Sequence, residues 1–420
     1  MGYQSRQCLS SVKKEYKYYE YDKTMDIFLC GRGNLSRILV YCEKQNIQYT
    51  LNNIDLCDNI LEKPLEFTGK LRDYQAGVPE EIIQNGCDGV VKLGTGYGKT
   101  LIALEMIRLL NKTALIIVPR VSILNQFKQT LKEFYDYKAG IIQGGVSDVQ
   151  GITVASMATL KSRDKKGGLK EIEKRFGIVI ADEAHTVISD KGIKVIQRFN
   201  PRHLYGLTAT PRRTDEQGDA IFYTFGPILC DKQLDQAKPT VQVVKSNCKV
   251  EVNVDYGEMI TEITEDQGRN ILIANIARRE FNNKRKILIL TKRIKHYEEI
   301  KAWLHSVMKI HTISSEMKPK ERDELLTKLR NNEKDFDIIL GTFSMLSTGV
   351  DIPALDTLIL AGDIKSSVLT EQSTGRILRI FNGKASPKII DIDDNLNGML
   401  HRQFLERQKF YKESGWEIKI

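Results

Sequence analysis

The chain has 420 residues, 41% hydrophobic and 28% charged, an ordinary globular balance with material for two or three domains. Lys and Arg total 63 against 54 Asp and Glu, and the net charge of +9 suits a polyanionic partner. No apolar run reaches the roughly 18–20 residues of a membrane span, the N-terminus has no secretory apolar core, and the seven cysteines form no CxxC pair, which excludes membrane, disulfide-scaffold and disordered classes.

Residues 1–66 hold 7 of the 16 tyrosines and balance nine basic against nine acidic residues, so the positive excess lies beyond them. Asn34 to Gln45 sets Leu35, Ile38, Leu39 and Cys42 at helical spacing after an Asn34 cap. This predicts a small, separate α/β module. Short apolar runs follow at Val90-Val91, Ala114 to Val118, Ile152 to Ala155, Ile178 to Ala181 and Leu204 to Leu207. Leu101 to Leu110 and Val121 to Phe134 show helical spacing between them. A second series of runs lies at Ile287 to Leu290, Ile338 to Leu340, Leu358 to Ala361 and Ile389 to Ile392. Tyr297 to Met308 and Pro319 to Asn331 are its helices. Buried strands alternating with amphipathic helices predict parallel βαβ units covered on both faces. Phe225 to Ile271 lacks the rhythm and reads as the linker. The expected partition is an accessory module over 1–66 and α/β domains over 67–235 and 236–420.

Between the first run and its helix lies Gly94-Thr95-Gly96-Tyr97-Gly98-Lys99-Thr100. Glycines let the backbone wrap so that amide N–H groups point at phosphates beside a helix N-terminus. Lys99 would reach the β/γ-phosphates and Thr100 would hold Mg²⁺. The strict phosphate-loop pattern has glycine where this chain has Leu93, which leaves the GxGKT core. Farther on, the strand Ile178 to Ala181 runs into Asp182-Glu183-Ala184-His185. Two acids at a strand end suit one ligand for Mg²⁺, Asp182, and one base for water, Glu183.

GTGYGKT, ADEAH and Thr208-Ala209-Thr210-Pro211 resemble motifs I, II and III of the superfamily 2 helicases, and the resemblance continues in order over roughly 67–412. Leu71-Arg72-Asp73-Tyr74-Gln75 is similar to the adenine-reading Q motif, with Gln75 as its hydrogen-bonding residue. Val118-Pro119-Arg120 with Leu124 and Gln126 resembles motif Ia, and Ile152 to Ser156 the next strand-contacting segment. Ile287 to Thr291 is similar to motif IV, Gly341-Thr342 through Ser347-Thr348-Gly349-Val350-Asp351-Ile352-Pro353 to motif V, and Gln372-Ser373-Thr374-Gly375-Arg376-Ile377-Leu378-Arg379 to motif VI. LRDYQ, LTATPRR and the tail from His401 to Tyr411 look closest to phage UvsW-type and XPB-like DNA helicases.

The resemblance implies two tandem RecA-like domains using ATP and Mg²⁺. It implies nucleotide contacts from Gln75, Gly94, Thr95, Gly96, Tyr97, Gly98, Lys99, Thr100, Gly349 and Asp351. Lys99, Asp182, Glu183, Arg376 and Arg379 would be catalytic, while His185, Thr208, Thr210 and Gln372 would couple. Arg120, Ser156, Thr342 and Ser347 would contact the DNA backbone, which carries no sequence information. Lys161 to Gly168 reads as a basic, flexible loop, either solvated or touching DNA. The expected protein is a monomeric DNA helicase or translocase acting on single-stranded, forked or branched DNA. It would sit in the cytoplasm of a bacterium or phage-infected host, beside replication, recombination or repair proteins. An RNA helicase, or an ATPase remodeller that does not unwind, are the alternatives.

Overall fold

The computed structural model describes residues 19–22, 27–49, 56–94, 96–211, 219–234, 238–250, 255–343, 352–362, 374 and 384–419. An antiparallel hairpin, β1 (Tyr19–Asp22) and β2 (Ile27–Cys30), precedes α1 (Leu35–Lys44). The first large unit runs α2 (Val78–Asn85), β3 (Asp88–Leu93), α3 (Lys99–Leu110), β4 (Ala114–Val118), α4 (Val121–Tyr135), β5 (Gly140–Gln143), β6 (Val146–Asp148), β7 (Ile152–Ser156) and α5 (Met157–Asp164). It continues through β8 (Ile178–Ala181), α6 (Ala184–Val187), α7 (Asp190–Gln197), β9 (His203–Thr208), α8 (Ala220–Phe225) and β10 (Ile228–Lys232). Its sheet order is β10-β3-β9-β8-β4-β7-β5-β6, parallel except for the terminal β6.

The second unit runs β11 (Thr240–Lys245), α9 (Tyr256–Glu265), α10 (Gln267–Asn282), β12 (Ile287–Thr291), α11 (Ile294–Ala302), β13 (Ile310–Ile313) and α12 (Pro319–Arg330). It ends with β14 (Ile338–Thr342), β15 (Thr357–Leu360), β16 (Lys388–Asp393), α13 (Gly398–Glu413) and β17 (Glu417–Lys419). All seven strands are parallel, in the order β13-β14-β12-β15-β16-β11-β17. These are the two tandem RecA-like α/β domains expected from the alternating pattern. Among the described residues, no helix is long and apolar enough to cross a membrane.

The strands are apolar on both faces because helices cover both faces. In β4, Ala114, Ile116 and Val118 enter one core while Leu115 and Ile117 enter the other. In β12, Leu288 and Leu290 face one core of the second sheet, and Ile287 and Ile289 the other. Successive side chains of a strand point to opposite faces, so a sheet buried on both sides reads as a continuous apolar run. Removing one fully buried side chain, as in Ile116→Ala, costs about 2–5 kcal/mol.

Three expectations change. The stretch read as a linker is built: β10 lies at the edge of the first sheet, β11 sits inside the second, and α9 opens on a reciprocal cap between Asp255 and Glu258. β10 ends at Lys232 and β11 begins at Thr240. The basic stretch from Lys161 is also not all loop, because α5 extends to Asp164. Arg163 donates to Ser147 Oγ at 2.6 Å and to the Val146 carbonyl at 2.9 Å, and Asp164 accepts from Arg198 at 3.0 Å.

The segment before residue 67 is joined to the first domain. Cys57 bridges Pro201, Ile60 bridges Lys112, and Leu61 and Leu65 lie in the first core. Gly31 and Gly33 press against α8. A Cβ at Gly33 would lie 2.3 Å from the Phe222 carbonyl oxygen, so only glycine fits this approach. Between them Arg32 forks onto Asp88, with Nη2 at 2.7–2.8 Å from both carboxylate oxygens, and also donates to the Pro201 carbonyl. Burial raises the Asp88 pKa even though the Arg32 charge opposes it. Asp88 is the first residue of β3, the strand that leads into the glycine-rich loop.

Candidate nucleotide site

Parallel strands present their C-terminal ends along one edge, where open α/β sheets bind ligands. The strand order β3-β9-β8-β4-β7 therefore lines up, side by side, the glycine-rich loop after β3, Thr208 ending β9, Asp182 after β8, Arg120 after β4 and Ser156 ending β7. Residues scattered over more than a hundred positions become neighbours through topology alone.

Gly96 and Gly98 have φ of +84° and +89°, the left-handed region that side chains resist, and Gly98 caps α3 so that Lys99 and Thr100 open the helix. Gln75 is buried against this turn. Its Nε2 donates to the Tyr97 carbonyl at 2.8 Å, its Oε1 accepts from the Arg72 amide at 3.0 Å, and a Cβ on Gly98 would lie 2.3 Å from Nε2. The Tyr97 ring meets Tyr74 edge-on at 5.2 Å, and its hydroxyl donates to the Tyr74 carbonyl. The Arg72–Gln75 segment and the glycine-rich loop are thus one hydrogen-bonded piece. Gly94 lies against Gln233 after β10.

Asp182 is 4% exposed and its backbone N–H continues the ladder to the Ile117 carbonyl. Burial, and then the charge of Glu183, push its pKa up to about 7, with Lys99 pulling it back. Glu183 follows at φ +46°, unusual for a residue with a side chain, and its N–H donates to Asp182 Oδ1 at 2.9 Å. Lys99 Nζ stands 3.8 Å from Glu183 Oε1. Glu183 Oε2 is buried without a hydrogen-bond donor among the described residues; His185 Nδ1 is 3.6 Å away. A buried carboxylate oxygen with no donor is costly unless something else supplies one.

His185 Nδ1 also lies 2.9 Å from Thr208 Oγ1. Thr208 donates to the Thr210 carbonyl at 3.0 Å and accepts from the Thr210 amide at 3.1 Å. A hydroxyl has one proton, so with that proton on the Thr210 carbonyl the imidazole is the donor and Nδ1 carries its hydrogen. The strand ends of β8 and β9 are thereby tied through His185.

Arg120 sits closer to this chemistry than its motif alone suggests. It is half-buried at the start of α4, burial lowers its pKa, and the opposing influence is Glu183. Gln126, one helical face along, donates to Thr100 Oγ1 at 3.1 Å, a contact with the candidate Mg²⁺ ligand that sequence reasoning missed. Only the fold brings α4 over the start of α3; no local pattern announces it. Ser156 caps α5 and is 6% exposed, and Thr342 ends β14 of the second sheet at 5% exposure. Thr95, Ser347, Gly349, Asp351, Gln372, Arg376 and Arg379 lie outside the described residues.

Comparison with known proteins agrees with this layout. Residues 68–213 match the family model described as Type III restriction enzyme, res subunit, and residues 268–381 match the Helicase conserved C-terminal domain. A protein of Invertebrate iridescent virus 6 named as a helicase, 161L, is 29% identical over 391 residues, spanning 84% of this chain and 83% of its own. One of Acanthamoeba polyphaga mimivirus named as an ATP-dependent RNA helicase, L396, is 27% identical, spanning 96% and 75%. The DNA 3'-5' translocase XPB2 of Sulfurisphaera tokodaii is 26% identical, spanning 74% and 79%.

Proposed function

We propose that this chain, which belongs to the superfamily 2 helicases and is related to their XPB-like members, is an ATP-driven motor on DNA whose preferred substrate is forked or branched. The observation that supports this reading most is the meeting of the glycine-rich loop with the Asp182–Glu183 pair at one sheet edge. In this reading residues 67–235 bind ATP, residues 236–420 form the second motor half, and the tyrosine-rich N-terminal stretch touches duplex or branch DNA.

The donor set fits Mg²⁺. Asp182 is buried with its carboxylate unsettled, Glu183 Oε2 lacks a donor among the described residues, and the Thr100 hydroxyl opens the adjacent helix. Thr100 and Asp182 would hold the cation, which when bound would neutralise phosphate charge. Lys99 and the amides from Gly94 to Gly98, with Thr95, would cradle the β- and γ-phosphates. Glu183 would orient the attacking water and take its proton. Gln75 would hold the base, and Gly349 and Asp351 would complete the nucleotide contacts. Arg376 and Arg379 would bring positive charge to the γ-phosphate, a contribution of about 10³–10⁵ in rate for such arginines. His185, Thr208, Thr210 and Gln372 would pass the nucleotide state to the strand contacts Arg120, Ser156, Thr342 and Ser347.

ATP turnover measured with single-stranded DNA, duplex, fork, four-way junction and RNA tests the assignment. Fork or junction DNA should stimulate most. The mimivirus relative's name favours RNA as the second reading, and stronger stimulation by RNA than by any DNA would replace the first with it. Stimulation without strand separation on a labelled fork would leave a remodeller instead. Replication or recombination partners, a monomeric state and a cytoplasmic setting belong to the same proposal.

A further inference from the structure

The second sheet has a cavity at the end opposite its motif-bearing edge. It measures about 410 Å³ and opens where β11 and β16 begin, lined by Thr240, Gln242, Arg285, Ser386, Pro387, Lys388 and Lys419. Three of these seven are cations and three more carry hydroxyl or amide groups. β17 brings Lys419 there by pairing with Gln242, and β16 brings Lys388 by pairing with Thr240.

The cations are held in place from behind. Glu280, fully buried on α10, accepts from Lys388 Nζ at 2.8 Å and faces Arg285 Nε at 3.5 Å. Its other neighbour, Arg279, donates to Gln242 Oε1 at 3.1 Å, which leaves the Gln242 amide with its NH₂ as the remaining donor. Arg285 is fixed further by the Ser386 carbonyl at 2.9 Å and by Asp356 at 3.5 Å. One buried carboxylate thus anchors three cations. Asp356, where burial raises the pKa against the pull of Arg285, lies behind Arg285 and is not among the lining residues. Lys419 is 61% exposed, with Glu417 beside it at 3.5 Å. Three cations and no carboxylate line the hollow, an arrangement suited to a tetrahedral anion.

We propose that this cavity is a second phosphate-binding site, separate from the glycine-rich loop and on the other domain, which takes a phosphate group from a free nucleotide or from a nucleic-acid backbone. It does not depend on which nucleic acid the motor prefers.

Binding of pyrophosphate and of a 15-nucleotide single strand would be measured by titration calorimetry on the full chain. Lys99→Ala would be the background, so that the glycine-rich loop does not contribute. Pyrophosphate should still bind, and adding Lys419→Glu should weaken it about tenfold, because a charge-assisted hydrogen bond gives way to repulsion between like charges. Lys419→Arg should restore it. Lys419 is exposed and its ion pair lies at the surface, so the variant folds, and basal ATPase with Lys99 intact should not change. Weaker binding of pyrophosphate but not of the oligonucleotide assigns a free nucleotide or phosphate. Weaker binding of both, with a salt slope smaller by about 0.7, assigns the strand backbone. If pyrophosphate fails to bind the Lys99→Ala protein and the oligonucleotide is indifferent to Lys419→Glu, the site does not exist. Equal binding by Lys419→Glu and Lys419→Arg overturns it as well.

Discussion

Both domains bury charge at or beyond the ends of parallel strands, and they treat it in opposite ways. In the second, Asp391 on β16 is gripped by Arg407 at 2.8 and 2.9 Å and by the Tyr411 hydroxyl at 2.8 Å. Asp394, just past the same strand, takes Arg269 at 2.7 and 3.0 Å and the Ser246 hydroxyl at 2.6 Å, and its pKa stays low although burial opposes it. In the first domain Asp182 has no such partner among the described residues, Lys99 stops 3.8 Å short of Glu183, and Asp182 is pushed up to about 7. Charge that holds a fold together is paired within the protein. Charge matched only by the longer Lys99–Glu183 contact, at a similar place in the architecture, is what the proposed nucleotide and Mg²⁺ would complete.

The sharpest break of this contrast is Glu183→Gln. It should lower ATP turnover about 10²–10⁴-fold, the usual share of a general base, while leaving stability nearly unchanged and nucleotide trapped. Near-normal turnover would remove Glu183 from the site. Next comes Arg407→Ala, which strands a buried carboxylate and should cost about 3–5 kcal/mol in urea unfolding followed by tryptophan emission, since Trp416 stacks on Tyr411. A smaller loss would mean that the second domain's pairs are no better matched than the first domain's.

Asp182→Asn should behave in the reverse sense. An acid whose folded pKa exceeds its unfolded value contributes stability that is present below about pH 4 and lost as pH rises towards 7. Without nucleotide at pH 8 the variant should therefore be more stable than the parent, by on the order of 2 kcal/mol. It should also lose the downward slope of melting temperature between pH 4 and 7. An unchanged slope would show that Asp182 is settled after all. The smallest effect is Arg32→Ala, which should destabilise the first domain by about 1–2 kcal/mol by leaving Asp88 without its guanidinium. No change in its unfolding midpoint would make the N-terminal segment an appendage.

Where sequence reading succeeds, the signal is local. Gly94 to Thr100 and Ile178 to His185 each hold strand, turn and chemistry within ten residues, so spacing suffices. Motif order then gives the tandem sheets. It fails where the cause is distant. Leu61 and Leu65 stand in a short stretch broken by Glu62, Lys63 and Pro64, and nothing nearby says that they complete a core with Ile82 and Met106. A cut at residue 66 would open that core. β11 is hidden because its two sheet partners, β16 and β17, lie more than 140 residues later in the chain. The motif around Arg120 points to the strand side, and only the pairing of β4 with β8 brings it close enough for the Glu183 charge to act on it.

The backbone of Glu183 is held in a conformation that favours glycine. A left-handed residue with a side chain costs about 1–2 kcal/mol, and glycine would escape that cost while losing the carboxylate. A screen for thermal tolerance alone should drift towards Glu183→Gly and, on the proposed function, lose ATP turnover. A screen for turnover would hold the glutamate and accept the weaker fold. If Glu183 is the base of the proposed reaction, the single angle at this position is where stability and activity would be exchanged for one another.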